Sequence, residues 1–247
     1  MLEPNKNIKF LKYQSSTCRD SFNLLCWNIA KLSKKEKFRR YLRELVLKEK
    51  LDFLLLQEVK EEIAKDMGIE NYSYILSANI ETKKHIYGVM SAFRFSCQSH
   101  KEILSNSKEL SFLTRKSSLF TYHDMGENKE LLVVNIHAIN FVTAKIFKKE
   151  LEYIEAQIEP FQGALIVAGD FNTWNNKRVK ILEEFAKRLS IRKVNFRDDK
   201  NLKKVLNKSL DHVFYRDLHV ETSIVLKNTE FSDHNPIIVR FSTLIKK

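Results

Sequence analysis

Four stretches constrain this chain more than any other feature: FNLLCWN (22–28), LDFLLLQEV (51–59), ELLVVNIHAIN (130–140) and GALIVAGDFN (163–172). Each is a short apolar run of the kind that forms a buried strand. Each also ends on side chains with chemistry: Asn28, Glu58, His137 with Asn140, and Asp170 with Asn172. Amphipathic stretches separate them. In KKEKFRRYLRELVLKEK, Phe38, Tyr41, Leu42, Leu45 and Val46 share one helical face, and lysines and arginines take the other. TAKIFKKELEYIEAQI turns Phe147, Leu151, Ile154 and Ile158 inward as a second helix, and KRVKILEEFAKRL reads as a third.

The remaining elements follow the same logic. Strands are expected near 72–77 and 88–95, with a short helix somewhere between 60 and 110. SSLFTYHDM and ELLVVNIHAIN read as an antiparallel pair joined by the turn GEN. Further strands are expected near 191–196, 211–216, 219–226 and 236–242, the last beginning at the proline of PIIVRF. Alternating strands and helices followed by a strand-rich end predict an α/β fold with mixed sheets, not a simple doubly wound order. No composition break divides the chain. Residues 1–20 read as a polar N-terminal arm and 21–247 as one domain, long enough for a sizeable core.

Charge narrows the partner. Lysine and arginine number 43 against 31 aspartates and glutamates, a net +12. Such an excess attracts polyanions: nucleic acid, anionic headgroups or phosphorylated small molecules. Five glycines and three prolines leave no Gly-rich phosphate loop and no flexible linker. Cys18, Cys26 and Cys97 have neither metal spacing nor an even count, and the N-terminus has no secretory h-region. No run reaches the roughly 18 apolar residues of a membrane span. A cytoplasmic monomer is the expectation.

Two more motifs join the strand-end set. SLDHVFY opens with Asp211, and SDHNPIIV carries Asp233 and His234 ahead of a strand. The strand period of two puts Asp170 and Asn172 on one face, with Phe171 on the other. The same rule separates Asp211 from His212, so His212 is read as structural. No zinc-like Cys/His spacing occurs. Glu58 with amide and carboxylate oxygens is a hard-ligand set suited to Mg²⁺ or Mn²⁺. A histidine beside a carboxylate can be held in one tautomer and made more basic. Hard metal, oriented histidine and anion-attracting charge together point to phosphate-ester hydrolysis.

The ordered set WN, QE, His137 with Asn140, GDFN, LDH and SDHNP resembles the endonuclease/exonuclease/phosphatase superfamily, the DNase I-like group, from about residue 22 to 242. LLVVNIHAINF, AGDFNTW, LDHVFYR and SDHNPIIVRF look closest to bacterial YafD-type proteins. The resemblance implies a four-layer α/β sandwich, two packed mixed β-sheets with helices outside. It implies a divalent metal held by Glu58 and Asn28, with Asp233 a further metal or water ligand. Asp170 would orient or deprotonate the attacking water, and Asn140 and Asn172 would hold phosphate oxygens. His234 would contact the scissile phosphate or act as the base, partnered by Asp211. His137 would contact phosphate or help protonate the leaving oxygen; Glu81 is a weak candidate for its carboxylate partner. Two departures matter. AP endonucleases carry tyrosine where His137 falls, and the PAWCDR motif of inositol phosphatases is absent.

The expected activity is therefore a metal-dependent phosphodiesterase acting on nucleic acid. The basic face of 31–48, the lysines near 177–180 and 200–208, and Arg192, Lys193 and Arg197 would meet backbone phosphates. The alternatives are the same chemistry on a phospholipid headgroup or small phosphomonoester, and a non-catalytic polyanion-binding module.

Overall fold

The computed structural model describes residues 8–11, 17–62, 69, 71–109, 114–227 and 230–243. The strands are β1 (Ile8–Phe10), β2 (Ser21–Asn28), β3 (Phe53–Glu62), β4 (Ser73–Glu81), β5 (His85–Phe93), β6 (Cys97–Leu104), β7 (Ser117–Asp124) and β8 (Glu130–His137), then β9 (Ala164–Asp170), β10 (Arg192–Lys193), β11 (Lys204–Val205), β12 (Lys208–Ser209), β13 (Asp211–Arg216), β14 (Leu218–Val225) and β15 (Ile237–Thr243). The helices are α1 (Glu36–Lys48), α2 (Ala144–Ile158) and α3 (Asn176–Arg188). They form one sheet in the order β1-β4-β5-β3-β2-β15-β14 and a second in the order β10-β13-β9-β8-β7-β6, with β11–β12 a separate hairpin.

Period-two alternation builds the layers. Leu24, Cys26, Phe53 and Leu55 of the first sheet meet Val133, Ile166, Ala168 and Val213 of the second in the central core. The alternate residues face outward. Leu25, Trp27, Leu54 and Leu56 pack on Phe38, Leu42, Leu45 and Val46 of α1. Val134, Leu165 and Val167 pack on Phe147, Leu151, Leu182 and Phe185 of α2 and α3. This is the expected sandwich of two mixed sheets between helical layers. Thr143 and Asn175 cap α2 and α3 by accepting the N–H of Ile146 and of Arg178.

Each sheet contains one parallel pair, β2 beside β3 and β8 beside β9, joined by a crossover through α1 and through α2. The carboxyl ends of these strands come to one edge, the usual binding edge of parallel strands. The antiparallel neighbours β13 and β15 begin there: Asp211 pairs with Asp170, and Ile237 pairs with Cys26.

Several local expectations shift. The strand expected at 191–196 shrinks to Arg192–Lys193 at a sheet edge. β4 and β5 extend beyond the strands expected near 72–77 and 88–95. Ile8–Phe10, within the polar N-terminal stretch, pairs with β4 as an edge strand. The short helix expected between 60 and 110 has no counterpart among the described residues, which leave out 63–68 and 70. All three cysteines are free, Cys18 and Cys26 in the core. No helix among the described residues is long and apolar enough to cross a membrane.

Candidate active site

The binding edge of the two sheets is an open cleft. It is lined by Asn28, Glu58, His137, Asn140, Asp170, Asn172, Asp233 and His234, together with Lys31, Glu109, Lys116 and Lys203. Strand register explains the convergence. His137 pairs directly with Asp170 across β8 and β9, Asp211 pairs with Asp170 across β13 and β9, and Asn28 pairs with Gln57 across β2 and β3. Segments far apart in sequence therefore end at one place.

Asp170 is the centre. It is buried, and its Oδ2 accepts a hydrogen bond from Asn28 Nδ2 at 3.0 Å, across the gap between the sheets. Its Oδ1 accepts the Asn172 N–H at 2.9 Å. His137 Nε2 and His234 Nε2 each stand 3.9 Å from Asp170 Oδ2. Burial and the neighbouring Asp211 carboxylate raise its pKa to about 6. The residue before it must be small: a Cβ on Gly169, at φ +148°, would fall 1.8 Å from the Ile136 carbonyl oxygen.

His234 donates from Nδ1 to Asp211 Oδ2 at 2.7 Å, leaving Nε2 toward Asp170. Burial pulls its pKa down, but the charge and hydrogen bond of Asp211 win and push it up to about 9. It is an imidazolium at neutral pH. Its loop is anchored to the first sheet: Trp27 Nε1 donates to the His234 carbonyl at 2.8 Å, and Ser232 Oγ donates to the Asn28 carbonyl at 2.6 Å.

His137 has the opposite character. Burial, aided by the positive charges of Lys116, His234 and Lys31, holds its pKa well below the usual histidine value. Its Nε2 lies 3.3 Å from Lys116 Nζ and 4.0 Å from Glu58 Oε1. The neutral ring accepts the lysine's proton donor. Glu81, the weak candidate for its carboxylate partner, is not among the residues lining the cleft.

Glu58 reaches the cleft through an irregularity. Leu56 pairs with Met90 and Val59 with Gly88, so β3 carries one extra residue, and Glu58 sits there at φ +52°. Its Oε2 lies 3.6 Å from Lys31 Nζ. Below it, Gln57 Nε2 donates to Asn135 Oδ1 at 2.7 Å, and Asn135 Nδ2 donates to the Met90 carbonyl at 2.8 Å. Both side chains are fully buried and tie the two sheets under the site.

The phosphate-binding candidates are held from behind. Asn140 donates its backbone N–H to Glu109 Oε1 at 2.6 Å, and its Oδ1 accepts Trp174 Nε1 at 3.0 Å. Asn172 Nδ2 donates to the Ala138 carbonyl at 3.0 Å. Asp233 stands at the mouth, its side chain 66% exposed and its carboxylate 2.8 Å from Lys203 Nζ. His212 turns away, as its strand position predicts: it stacks on Phe214, meets Phe171 edge-on and bonds Thr173.

Four contributors carried no separate signal in the sequence. Lys116 and Glu109 are an ion pair at 3.6 Å, Lys31 faces Glu58, and Arg178 clamps the site loops from a helix. Arg178 is fully buried. It donates from Nη1 to the Ile139 and Asn172 carbonyls and from Nη2 to the Val142 carbonyl, at 3.0 to 3.1 Å.

The donor set can hold a hard divalent cation. Glu58 and Asp170 offer carboxylate oxygens and Asn28 an amide oxygen to the same cleft. Asp170, Asp211 and His234 also bring ligand atoms within 4.8 Å of one another. There, Asp211 Oδ2 and His234 Nδ1 are hydrogen-bonded to each other.

Comparison with known proteins gives a consistent picture. The model of the endonuclease/exonuclease/phosphatase family matches residues 25–234. A UPF0294 protein of Photorhabdus laumondii is 32% identical over 232 residues, covering 91% of this chain and 85% of its relative. Among solved structures, a protein of that family from Leptotrichia buccalis superposes with a TM-score of 0.71 at 16% identity, over 90% of this chain and 99% of the other. The human Nocturnin catalytic domain with a bound sulfate anion gives 0.65 at 16% identity, over 96% and 97%.

Proposed function

The chain belongs to the endonuclease/exonuclease/phosphatase family, whose members hydrolyse phosphate esters, and from that premise we propose that it is a Mg²⁺- or Mn²⁺-dependent phosphodiesterase acting on nucleic acid. The observation that carries this is the meeting of the His234–Asp211 pair, Asp170, His137 and Glu58 in one cleft. A binding module for polyanions needs none of those buried carboxylates.

In this reading Glu58 and Asn28 would hold the metal, and Asp233 at the mouth would be a further metal or water ligand. The bound ion would neutralise charge developing on the phosphoryl oxygens. Asp170, basic for a carboxylate, orients the attacking water and accepts its proton. The His234 imidazolium faces a non-bridging oxygen from Nε2, its ring orientation and charge held by Asp211. His137 contacts the phosphate as a neutral ring, and Lys116 beside it supplies the cation near the leaving oxygen. Asn140 has both side-chain acceptor contacts on Oδ1, which leaves its amide hydrogens for phosphate. Asn172 spends one amide hydrogen on Ala138 and keeps the other. The likeness to YafD-type proteins fits the same chemistry.

Nicking of supercoiled plasmid tests the reading. Wild type with Mg²⁺ or Mn²⁺ is expected to nick, and Glu58→Ala to lose the activity. No cleavage by wild type, or equal cleavage by the variant, would sink it. A panel adding sphingomyelin, inositol phosphates and small phosphomonoesters, run beside His234→Ala, identifies any other ester as the true substrate.

A further inference from the structure

Five non-glycine residues lining the cleft have positive φ: Ala30, Lys31, Glu58, Phe141 and Asn172. Four of them serve contacts already described or close beside them. Glu58 and Lys31 face each other, the Ala30 N–H donates to Asn28 Oδ1 at 3.1 Å, and Asn172 packs against Asp170. Phe141 also spends its N–H on a neighbouring side chain, Asn140 Oδ1, but it alone of the five is a large apolar residue left exposed. At φ +45° it occupies a region that bulky aromatic residues rarely enter, and the residue is 56% exposed at the lip of the cleft. Backbone strain and lost burial fall on the same residue.

The surrounding structure enforces that conformation. The Phe141 N–H donates to Asn140 Oδ1 at 2.9 Å, while Trp174 and Glu109 hold Asn140. Arg178 grips the carbonyls of Ile139 and Val142 on either side. A segment pinned this firmly, next to a candidate phosphate ligand, presents a flat ring at a fixed height.

We propose that Phe141 is a stacking platform for an unpaired nucleobase adjoining the scissile phosphate, which makes a single-stranded or locally opened polynucleotide the preferred substrate. This rests on the nucleolytic reading above and adds the specificity element to it. Lys31, Lys116 and Lys203 line the same cleft beside Glu58, Glu109 and Asp233, and a chain with repeated phosphates can meet more than one of them. A π-face beside a phosphate track is how single strands are gripped without sequence preference. In a duplex both faces of each base are already covered by its neighbours, so the base must be unpaired.

Two measurements test this, using wild type, Phe141→Trp and Phe141→Leu. Leucine keeps apolar bulk without a π-face. First, a single strand carrying 2-aminopurine is titrated with protein. Quenching is expected with wild type and Phe141→Trp and not with Phe141→Leu. Second, kcat/KM is compared on a single strand and on the same backbone with abasic sites flanking the cut. The ratio of the two should fall about tenfold in Phe141→Leu and persist in Phe141→Trp. Absence of quenching with wild type, or leucine matching tryptophan in either assay, overturns the proposal. Quenching that depends on Phe141 in a protein that cuts nothing leaves the platform standing and sinks the nuclease reading. Cleavage with an unchanged ratio does the reverse.

Discussion

Replacing Arg178 by lysine should cost about 3 kcal/mol of stability, from two lost hydrogen bonds at about 1.5 kcal/mol or more each. The guanidinium makes three hydrogen bonds to the Ile139, Asn172 and Val142 carbonyls. It also lies 4.4 Å from the Phe147 ring centroid and 5.2 Å from that of Trp174. An ammonium keeps the charge but not the planar fork, so at best one carbonyl stays well paired and the ring stacking is lost. Hydrogen bonds from a charged donor contribute about 1.5–3 kcal/mol each, so losing two gives the stated loss even after some relaxation. The urea midpoint should then fall by about 1 to 2 M with the slope unchanged. Because the same side chain ties the Asn140 and Asn172 loops together, phosphodiesterase kcat should fall at temperatures where the variant is still folded. A midpoint shift under about 0.3 M would refute the inference that this arginine is a structural clamp. It would mean that the buried guanidinium gains no more from the carbonyls than it loses in leaving water.

Lys116→Gln should lower kcat on a phosphodiester about a hundredfold, the usual cost of removing one preorganised charge donor, and stopped-flow or gel kinetics would detect it. A loss confined to KM would make the lysine a docking contact only. His123 lies buried between Phe53 and Phe93 with its pKa lowered to about 4 by burial, while the unfolded chain takes up that proton near pH 6.5. Stability from this site is complete above pH 6.5 and is lost as pH falls toward 4, by about 3 kcal/mol in total. Denaturant titrations across that window should show a difference between wild type and His123→Gln that shrinks on acidification; a constant difference would contradict the shift. Asn135→Leu should destabilise by about 2 kcal/mol, and adding Gln57→Leu should cost less than its single-variant value, because the two amides are partners. Strict additivity in that double-mutant cycle would show that they do not act as a pair.

The sequence displays the layers well and the site only partly, and the reason is geometric. The apolar runs that become β2, β3, β8 and β9 are a local signal, so these buried strands were readable, as was the turning away of His212. Arg178 was not, because on a helix it looks like any solvated arginine; its three acceptors lie on two loops that precede it, after β8 and after β9, which only folding brings together. Lys116 is equally silent, since its partners Glu109 and His137 belong to different segments. Glu58 shows the limit most sharply. A regular strand would place it on the side of Leu54 and Leu56, against α1 and away from the cleft. The extra residue in β3 and the +52° φ bring it to the cleft instead. Its chemistry marked it in the sequence while its periodicity argued against it. Asn172, just beyond the end of β9, and Phe141 also leave regular backbone at the cleft. Asn28, His137, Asp170 and Asp211 reach the site by regular strand register, whereas Glu58, Asn172 and Phe141 depart from it, so the rules that make the sandwich legible fail at part of its working edge.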